Sequence, residues 1–572
     1  MSRDPSTSIV ISGTGGAGAM TAGAILLGAA ARAGWYGTME RCYGPQIRGG
    51  EALAIVRLST REVAARADTD RILVAMDWRN IERFLPELRL TPESYVIGDP
   101  KMGDIPEGIR AFGAREYQVP MTALARKIPA GRPNMIALGI VARLIGLPDE
   151  FALSAMEEAL EGKADDARTG SLEAFRCGVA AAAELPPLSP LPRTDEVRSE
   201  RWSITGNEAA AYGAVLGGVR FAAGYPITPA TEVLEWLAAA LPGLGGVLVQ
   251  AEDELASVGQ IIGASFGGTP SMTATSGPGL ALMTESIGLA VAAEIPIVVL
   301  DVMRGGPSTG IPTRSEQTDL NMAIYGLHGD APHLVLAPMS VSDCIFTMQW
   351  SVHLAESLQT PVIVLSDQAL GQTRTIIDAP PDVAFPARRH VPASVDDGYC
   401  RYRDTESGIS PMTIPGMAGG QYTADGLEHN ERGKPSSAAK DHVAQLSKRL
   451  RKLTSFDYGV HWADIQGHGE LAILTWGSVH GVVREALSMT EDWQSRCRLI
   501  GIRLLAPARP AELAEALKGV RQILVVEQSH GGQFYDYLRA SYDLPGDVRS
   551  LSQPGPLPIS SAALDAHMTE WH

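Results

Sequence analysis

Short apolar runs rich in Val, Ile and Leu alternate with stretches of helical period from near the first residue to near the last. That alternation is the pattern of parallel sheets covered by helices. Residues 8–12 (SIVIS), 52–58 and 72–76 read as strands, and residues 17–33 and 168–184 as helices. A second series of predicted strands falls at 246–250, 271–275, 296–302, 333–336 and 362–366, and a third in LAILTW, LIGIRLL and QILVVEQ beyond residue 470. The expected fold class is therefore α/β, with three doubly wound domains. Residues 185–200 (LPPLSPLPRTDEVRSE) combine four prolines with a run of charges and read as a linker. Between about residues 379 and 467 the pattern dissolves into Gly, Pro and polar residues, ending in a basic amphipathic stretch at 441–453. That is too long for an ordinary loop, so it is expected to serve function or to cover a partner. The expected divisions are 1–190, 200–385, an excursion at 386–466, and 467–572.

Charge and cysteine content remove several function classes. The chain has 48 basic against 65 acidic residues, a formal charge of −17, so its overall field repels nucleic acid and anionic membranes. An anionic ligand must then be held by local cations or helix N-termini. No two of the five cysteines stand at a Cys-x₂₋₄-Cys spacing, so this chain is not expected to hold an iron–sulfur cluster or a thiolate metal site. The uncharged stretch at 5–31 is mostly Ala and Gly, interrupted by Thr14 and Thr21, and reads as a buried strand, loop and helix rather than a signal or a membrane span. Without a secretion signal, and with unpaired cysteines, the expected compartment is the cytoplasm.

Five segments have the residue types that chemistry needs. Gly13-Thr14-Gly15-Gly16-Ala17-Gly18 follows a predicted strand and opens a helix, where glycines let backbone N–H groups approach an anion. It matches G-x-G-x-x-G, and Glu40 stands about 22 residues beyond, near where a ribose-binding acid would lie. A phosphate site, a tight packing turn and a nicotinamide site all remain open for it. Arg48, in YGPQIRGG, is a cation among glycines that would either be solvated or clamp a second anion. In Gly224-Tyr225-Pro226-Ile227-Thr228-Pro229, Thr228 is a helix N-cap or a ligand contact. In Gln250-Ala251-Glu252-Asp253-Glu254, the first two acids compensate a helix dipole. Glu254 instead shares a stripe with Val258 and Ile261, which makes it a candidate for sharing a proton at neutral pH. Arg304, in DVMRGGPSTG, is the one cation at these predicted strand ends and suits a bidentate carboxylate contact. The Gly306–Gly310 match to G-x-S-x-G lacks the helix that a nucleophile elbow needs, Gly433-Lys434-Pro435 lacks the P-loop spacing, and His328 and His333 read as structural.

Together these segments resemble the 2-oxoacid:ferredoxin oxidoreductases, in the form where a γ-type domain is fused ahead of the α-type domain. GTGGAG and YGPQIRGGEALAIVRLS look like the γ domain. GNEAAAYGAVLGGVRFAAGYPITPATEV, EDELASVGQIIGAS, TATSGPGLALMTESIGLA and DVMRGGPSTGIPT look like the thiamin-diphosphate pyrimidine domain. The excursion and VVEQSHGGQ resemble the rest of that subunit, including a transketolase C-terminal-like domain. The resemblance implies that Glu254 hydrogen-bonds N1′ of the cofactor's aminopyrimidine, favouring the imino tautomer that removes the thiazolium C2 proton. It implies that Thr228 and Arg304 contact the carbonyl and carboxylate of the 2-oxoacid, and that Gly13, Gly15, Gly16, Gly18 and Arg48 serve coenzyme A or another anion. Ala17, where many relatives have Gln, departs from the γ pattern. It further implies a β subunit holding the diphosphate, Mg²⁺ and an iron–sulfur cluster, ferredoxin as electron acceptor, and an (αβ)₂ assembly. The implied substrate is 2-oxoglutarate, in either the decarboxylating or the carboxylating direction, with pyruvate or another 2-oxoacid as the alternative. The readings from other classes are an NAD(P)-dependent dehydrogenase using the first glycine loop, and a non-catalytic scaffold that covers a partner.

Overall fold

The computed structural model describes residues 6–14, 16–43, 51–194, 200–381, 385–489 and 491–571. It divides into two compact units, one comprising Met1–Thr205, Gln372–Pro380 and Ser560–Ala562, the other the remainder. The described residues contain no helix long and apolar enough to cross a membrane.

In the first unit, β1 (Ser6–Thr14) leads into α1 (Ala19–Arg32), followed by β2 (Tyr36–Tyr43), β3 (Glu51–Ser59), β4 (Ile72–Ala75), β5 (Tyr95–Gly98) and β6 (Arg115–Gln118). Helices α2 (Pro133–Ile145), α3 (Asp149–Ala159) and α4 (Asp165–Ala181) precede β7 (Arg201–Thr205), and strand Arg374–Asp378 returns to the same sheet. The eight strands run β6-β5-β4-β1-β3-β2, then Arg374–Asp378, then β7. Only the first four are parallel; every pairing from β1–β3 onward is antiparallel. The alternation in the sequence had suggested parallel strands throughout. Burial on both faces, not strand direction, makes an apolar run continuous, and residues 52–58 of β3 are all buried. The segment read as buried strand and helix is β1 and α1, and α1 lies close on the sheet because a Cβ at Gly23 would stand 2.9 Å from Ala54 Cβ and from Met39 Sδ. Helices α2 and α4 meet backbone to backbone through reciprocal glycines, Gly139 against Phe175 O and Gly178 against Ile136 O.

The second unit opens with α5 (Gly206–Gly217), β8 (Phe221–Gly224), α6 (Thr231–Ala240), β9 (Val247–Gln250), α7 (Glu254–Phe266), β10 (Ser271–Thr275), α8 (Gly277–Ala292) and β11 (Val298–Met303). Then come α9 (Leu320–Tyr325), β12 (Leu334–Leu336), α10 (Val341–Leu358) and β13 (Val362–Asp367); the strand Arg374–Asp378 of the first unit is β14. After α11 (Ala439–Thr454) come β15 (Ala463–Gly467), β16 (Leu471–Thr475), α12 (Val479–Ser488), β17 (Cys497–Ile502), β18 (Leu504–Ala506), β19 (Gln522–Glu527), α13 (Gln533–Ser541) and β20 (Asp547–Ser552). One sheet has the order β18-β12-β13-β11-β10-β8-β9 and the other β15-β17-β16-β19-β20. LIGIRLL, read as one strand, is two: Arg503 divides it, donating to Asp343 and to the His461 carbonyl, and β18 crosses to the larger sheet.

The excursion has no helix or strand among its described residues 385–438, yet Arg401, Tyr402, Ser410, Met412 and Thr413 are fully buried. The basic face of α11 turns inward. Lys448 and Lys452 pair with Glu294 at 2.5 and 2.8 Å, all three side chains at most 2% exposed. Arg449 binds Glu428 at 2.9 Å. These basic residues fasten the excursion to its own unit.

Candidate functional site

Open parallel sheets build sites where loops leave the C-terminal ends of adjacent strands. In the larger sheet of the second unit, β8, β9, β10 and β11 end together, and the loops after them carry Thr228, Glu254, Thr275–Gly279 and Arg304.

Helix α7 begins at Glu254 because Asp253 caps it, its carboxylate accepting from Ala256 N–H at 2.7 Å. Glu254 is 7% exposed, and Val258 and Ile261 on its stripe are fully buried. Its carboxylate faces the start of α8. A Cβ at Gly279 would stand 2.8 Å from Glu254 Cγ, 2.9 Å from its Oε1 and 2.0 Å from Thr275 Oγ1. Only glycine leaves room there. The Glu254 side chain makes no hydrogen bond within the described residues. Its oxygens are not fully enclosed, so a donor arriving with a ligand can reach them. Gly279→Ala is expected to push the carboxylate aside and to lower any catalytic rate that depends on it about tenfold or more; steady-state rates check this.

Arg304 and Thr228 are 76 residues apart and meet: Arg304 Nη1 donates to the Thr228 carbonyl at 2.6 Å. Thr228 is not a helix cap, since Ala230 holds that position on α6 without a side-chain bond. Its side chain is therefore left for another use. Arg304 is 7% exposed and its Nε has no partner. Burial lowers its proton affinity, against the opposing charges of Asp319 and Asp301. Those two acids, which the sequence reading missed, close the same corner. The Gly306–Gly310 segment is an exposed hairpin tip, with Gly305 and Ile311 bridged, and is no nucleophile elbow. His333 is buried, its ring nitrogens 2.8 and 2.7 Å from the carbonyls of Ala331 and Ala323, a structural residue.

VVEQSHGGQ fastens the segment that follows Arg304. Glu527 accepts from Phe534 N–H and Tyr535 N–H at the start of α13, and from Ser529 Oγ. Gln317 and Gln528 exchange bonds at 2.8 and 2.9 Å, and Gln533 donates to the Thr318 carbonyl.

In the first unit, Gly15 and Arg48 lie outside the described residues. The other glycines of the loop divide by role. Gly18 has φ +84°, and a Cβ there would meet Asn134 Nδ2 at 2.3 Å, so this position is a tight packing turn. Gly18→Ala is expected to destabilise the chain by about 1–3 kcal/mol, read from a denaturant midpoint. Gly16, at φ +93°, faces open space. The dinucleotide reading fails on topology: it needs β2 parallel and adjacent to β1, but β3 lies between them and pairs antiparallel with both. Glu40 stands in the middle of β2 opposite Ile55, not at a strand end. Along α1 runs a cavity of about 880 Å³ whose charged lining is Arg32, Arg41, Arg201 and Arg374 with Glu158 and Glu200. No local motif marks it, because its arginines come from strands and a helix distant in sequence.

Residues 8–181 match the pyruvate ferredoxin/flavodoxin oxidoreductase family model, and residues 212–448 match the thiamine-diphosphate-binding model of the pyruvate flavodoxin/ferredoxin oxidoreductases. The 2-oxoglutarate synthase subunit KorA of Methanothermobacter marburgensis is 38% identical over 60% of this chain and 92% of its own length. The chain belongs to the 2-oxoacid:ferredoxin oxidoreductase family. The 2-oxoacid:ferredoxin oxidoreductase subunit alpha of a Sulfolobus species is 31% identical over 92% of this chain and 90% of its own. A solved 2-oxoglutarate:ferredoxin oxidoreductase from Magnetococcus marinus, with 2-oxoglutarate, coenzyme A and succinyl-CoA bound, superposes with a TM-score of 0.91 at 34% identity, covering 99% of both chains. The matched thiamine-diphosphate segment contains Thr228, Glu254, Gly279 and Arg304, the residues that the strand ends assemble.

Proposed function

We propose that this oxidoreductase chain is the fused γα subunit of a 2-oxoglutarate:ferredoxin oxidoreductase. It takes 2-oxoglutarate, coenzyme A and oxidised ferredoxin to succinyl-CoA, CO₂ and reduced ferredoxin, or runs the carboxylation. The observation that carries this reading is the largely buried carboxyl of Glu254 against Gly279, among the strand ends that also carry Thr228 and Arg304. Those residues fit an aminopyrimidine, whose N1′ supplies the missing partner. Bound thiamin diphosphate supplies a nucleophilic carbon and an electron sink.

Glu254 holds the proton at N1′ and shares it through the cycle, in surroundings where Val258 and Ile261 exclude water. Arg304 grips the carboxylate next to the reacting carbonyl with the donors that Thr228 leaves free, and the Thr228 side chain orients the carbonyl oxygen. The bonds from VVEQSHGGQ keep the segment after Arg304 in place. In the first unit, residues 1–190 handle coenzyme A, through the loop at Gly13, Gly15 and Gly16, with Gly18 packing the turn against Asn134.

We place the diphosphate grip, Mg²⁺ and an iron–sulfur cluster on a β subunit in an (αβ)₂ assembly, since this chain's cysteines lack a cluster spacing. Oxidation releases two electrons, which then leave through that subunit to ferredoxin in the cytoplasm. The distal carboxylate of 2-oxoglutarate needs a second cation, which a basic residue of the β subunit provides. The test is viologen reduction by the co-purified complex with a panel of 2-oxoacids and coenzyme A. The expected result is preference for 2-oxoglutarate; reduction with no oxoacid, or NAD(P)-dependent turnover by this chain alone, overturns the reading. Arg304→Ala is expected to raise KM for every oxoacid about 10- to 100-fold, the worth of a lost charged hydrogen-bond pair.

A further inference from the structure

In the smaller sheet of the second unit the chain forms β16 first, then steps to one side for β17 and to the other for β19, all three parallel. The strand order therefore reverses between β16 and β19, and the crevice above their C-terminal ends is where a sheet of this kind admits a ligand. Gly477, just beyond β16, has φ +60° and leaves that crevice open. Its occupant is a residue of this chain. Gln317, fully buried, enters from the segment that follows Arg304, and a Cβ on Gly477 would stand 2.5 Å from its Nε2. Nε2 donates to the Trp476 carbonyl at 2.9 Å, and Oε1 accepts from Gln528 N–H at 2.9 Å. Gln317 N–H in turn donates to the Gln528 carbonyl at 2.8 Å. The amide thus spans the crevice, satisfying one backbone group beyond β16 and another beyond β19. Its neighbours are tied to the same edge. Gly555 N–H, beyond β20, donates to Glu316 Oε1 at 3.0 Å, while Gln533 accepts from Asn321 N–H at 2.9 Å and donates to the Thr318 carbonyl at 2.8 Å.

At its other end the segment closes beside Arg304. Gly305 N–H donates to the Arg314 carbonyl at 2.9 Å, and Arg314 stands three residues before Gln317. Arg304 itself reaches the Thr228 carbonyl at 2.6 Å. We propose that Gln317 is a positioning residue for the oxoacid: its amide locks the segment after β11 into the C-terminal sheet and so holds Arg304 where it meets the substrate carboxylate. This deepens the function proposed above and rests on Arg304 as the carboxylate-binding residue.

The crevice side of the lock is built without substrate. Glu527, fully buried, accepts from Phe534 N–H and Tyr535 N–H at 2.9 Å each, which fixes the loop that carries Gln528. A glutamine suits the two backbone groups because its amide offers a donor and an acceptor at once. Gln317→Leu keeps the bulk but leaves the Trp476 carbonyl and Gln528 N–H buried and unpaired, so the segment has no reason to stay in the crevice. In Gln317→Glu the side chain keeps its length, yet the ionised carboxylate turns an acceptor toward the Trp476 carbonyl. Only the protonated acid regains a donor there, and burial raises the pH at which it holds that proton. A segment released from the crevice lets Arg304 shift, and a misplacement of about 1 Å is enough to cost a directed contact much of its effect. The loss falls on binding of the oxoacid before it reaches the chemical step.

The test uses the assembled complex and reads KM for 2-oxoglutarate, with kcat and the melting temperature measured beside it. Gln317→Leu is expected to raise KM about tenfold or more and to change kcat by less than about threefold. Gly477→Ala, whose methyl group displaces Nε2 from the opposite side, is expected to act in the same way and serves should Gln317→Leu fail to fold. For Gln317→Glu, the ratio of KM to the wild-type value is expected to fall from about tenfold at pH 8 to about twofold at pH 6, as the acid gains its proton. The double variant Arg304→Ala/Gln317→Leu is expected to show the KM of Arg304→Ala alone, because the two residues act through one contact. Variants that lower the melting temperature while KM stays at the wild-type value make Gln317 a tie of the fold only and overturn the proposal. A KM effect that adds in full to that of Arg304→Ala overturns it too. If Arg304→Ala by itself leaves KM unchanged, the reading of Arg304 fails and takes the proposal with it; if Arg304→Ala raises KM and Gln317→Leu and Gly477→Ala do not, only the role of Gln317 is refuted.

Discussion

Glu254→Gln is expected to lower turnover of the assembled complex by about 10²- to 10⁴-fold, the range lost with a positioned acid–base group. That corresponds to about 3–5 kcal/mol of transition-state stabilisation. The amide keeps the shape of the carboxyl and still fits against Gly279, so the fold and the subunit contacts should survive. What it would lose is the capacity to exchange a proton with the ring nitrogen of the proposed cofactor. The effect should therefore fall on kcat, with KM for the oxoacid changed little, because Arg304 and Thr228 remain in place. Size-exclusion and thermal melting of the complex, run beside the assay, separate lost chemistry from lost assembly.

Glu294→Gln is expected to have the largest effect on stability. Glu294, Lys448 and Lys452 are at most 2% exposed, and Arg401, fully buried, donates to the Glu294 carbonyl while lying over the rings of Tyr402 and Tyr422. One anion thus balances three cations in a buried site. Removing it leaves buried charge uncompensated, which costs about 3–5 kcal/mol, and should lower the melting temperature on the order of 5–10 °C. Replacing Lys452 by Met in the same background should recover part of the loss. The pH dependence follows from the same cluster. Burial alone would raise the Glu294 carboxyl, but Lys448, Lys452 and Arg401 hold it well below the usual range. Its contribution is present above the unfolded value of 4.5 and is lost as pH falls below it. Burial pushes Lys452 down to about 7, so between there and 10.5 the unfolded chain holds a proton that the folded chain has released. Stability from this group accordingly rises with pH across that window. Melting curves of the glutamine variant should lose the acid limb.

Much of the site could be read from the residues themselves. The stripe through Glu254, Val258 and Ile261 needs only helical spacing, and Asp253 caps α7 as an acid at that place should. The pairing of strand ends behind Thr228, Glu254 and Arg304 follows from the α/β alternation. What the sequence hides is contact across distance. Nothing local in Asn134 says that it meets Gly18, and nothing in α11 says that Lys448 and Lys452 will find Glu294 more than 150 residues earlier. A basic amphipathic helix reads as a solvated or partner-binding face, and only the fold shows the charges turned inward. Strand direction was likewise hidden: β2 and β3 look like any buried strands, and their antiparallel return is what excludes a dinucleotide crevice.

The most direct measurement is the rate of hydrogen–deuterium exchange at C2 of thiamin diphosphate bound to the assembled complex, followed by acid quench and NMR in wild type and Glu254→Gln. If the Glu254 carboxyl activates the cofactor through its pyrimidine ring, exchange slows by about 100-fold or more in the variant while cofactor occupancy is retained. Exchange at the wild-type rate with the cofactor fully bound would contradict that role.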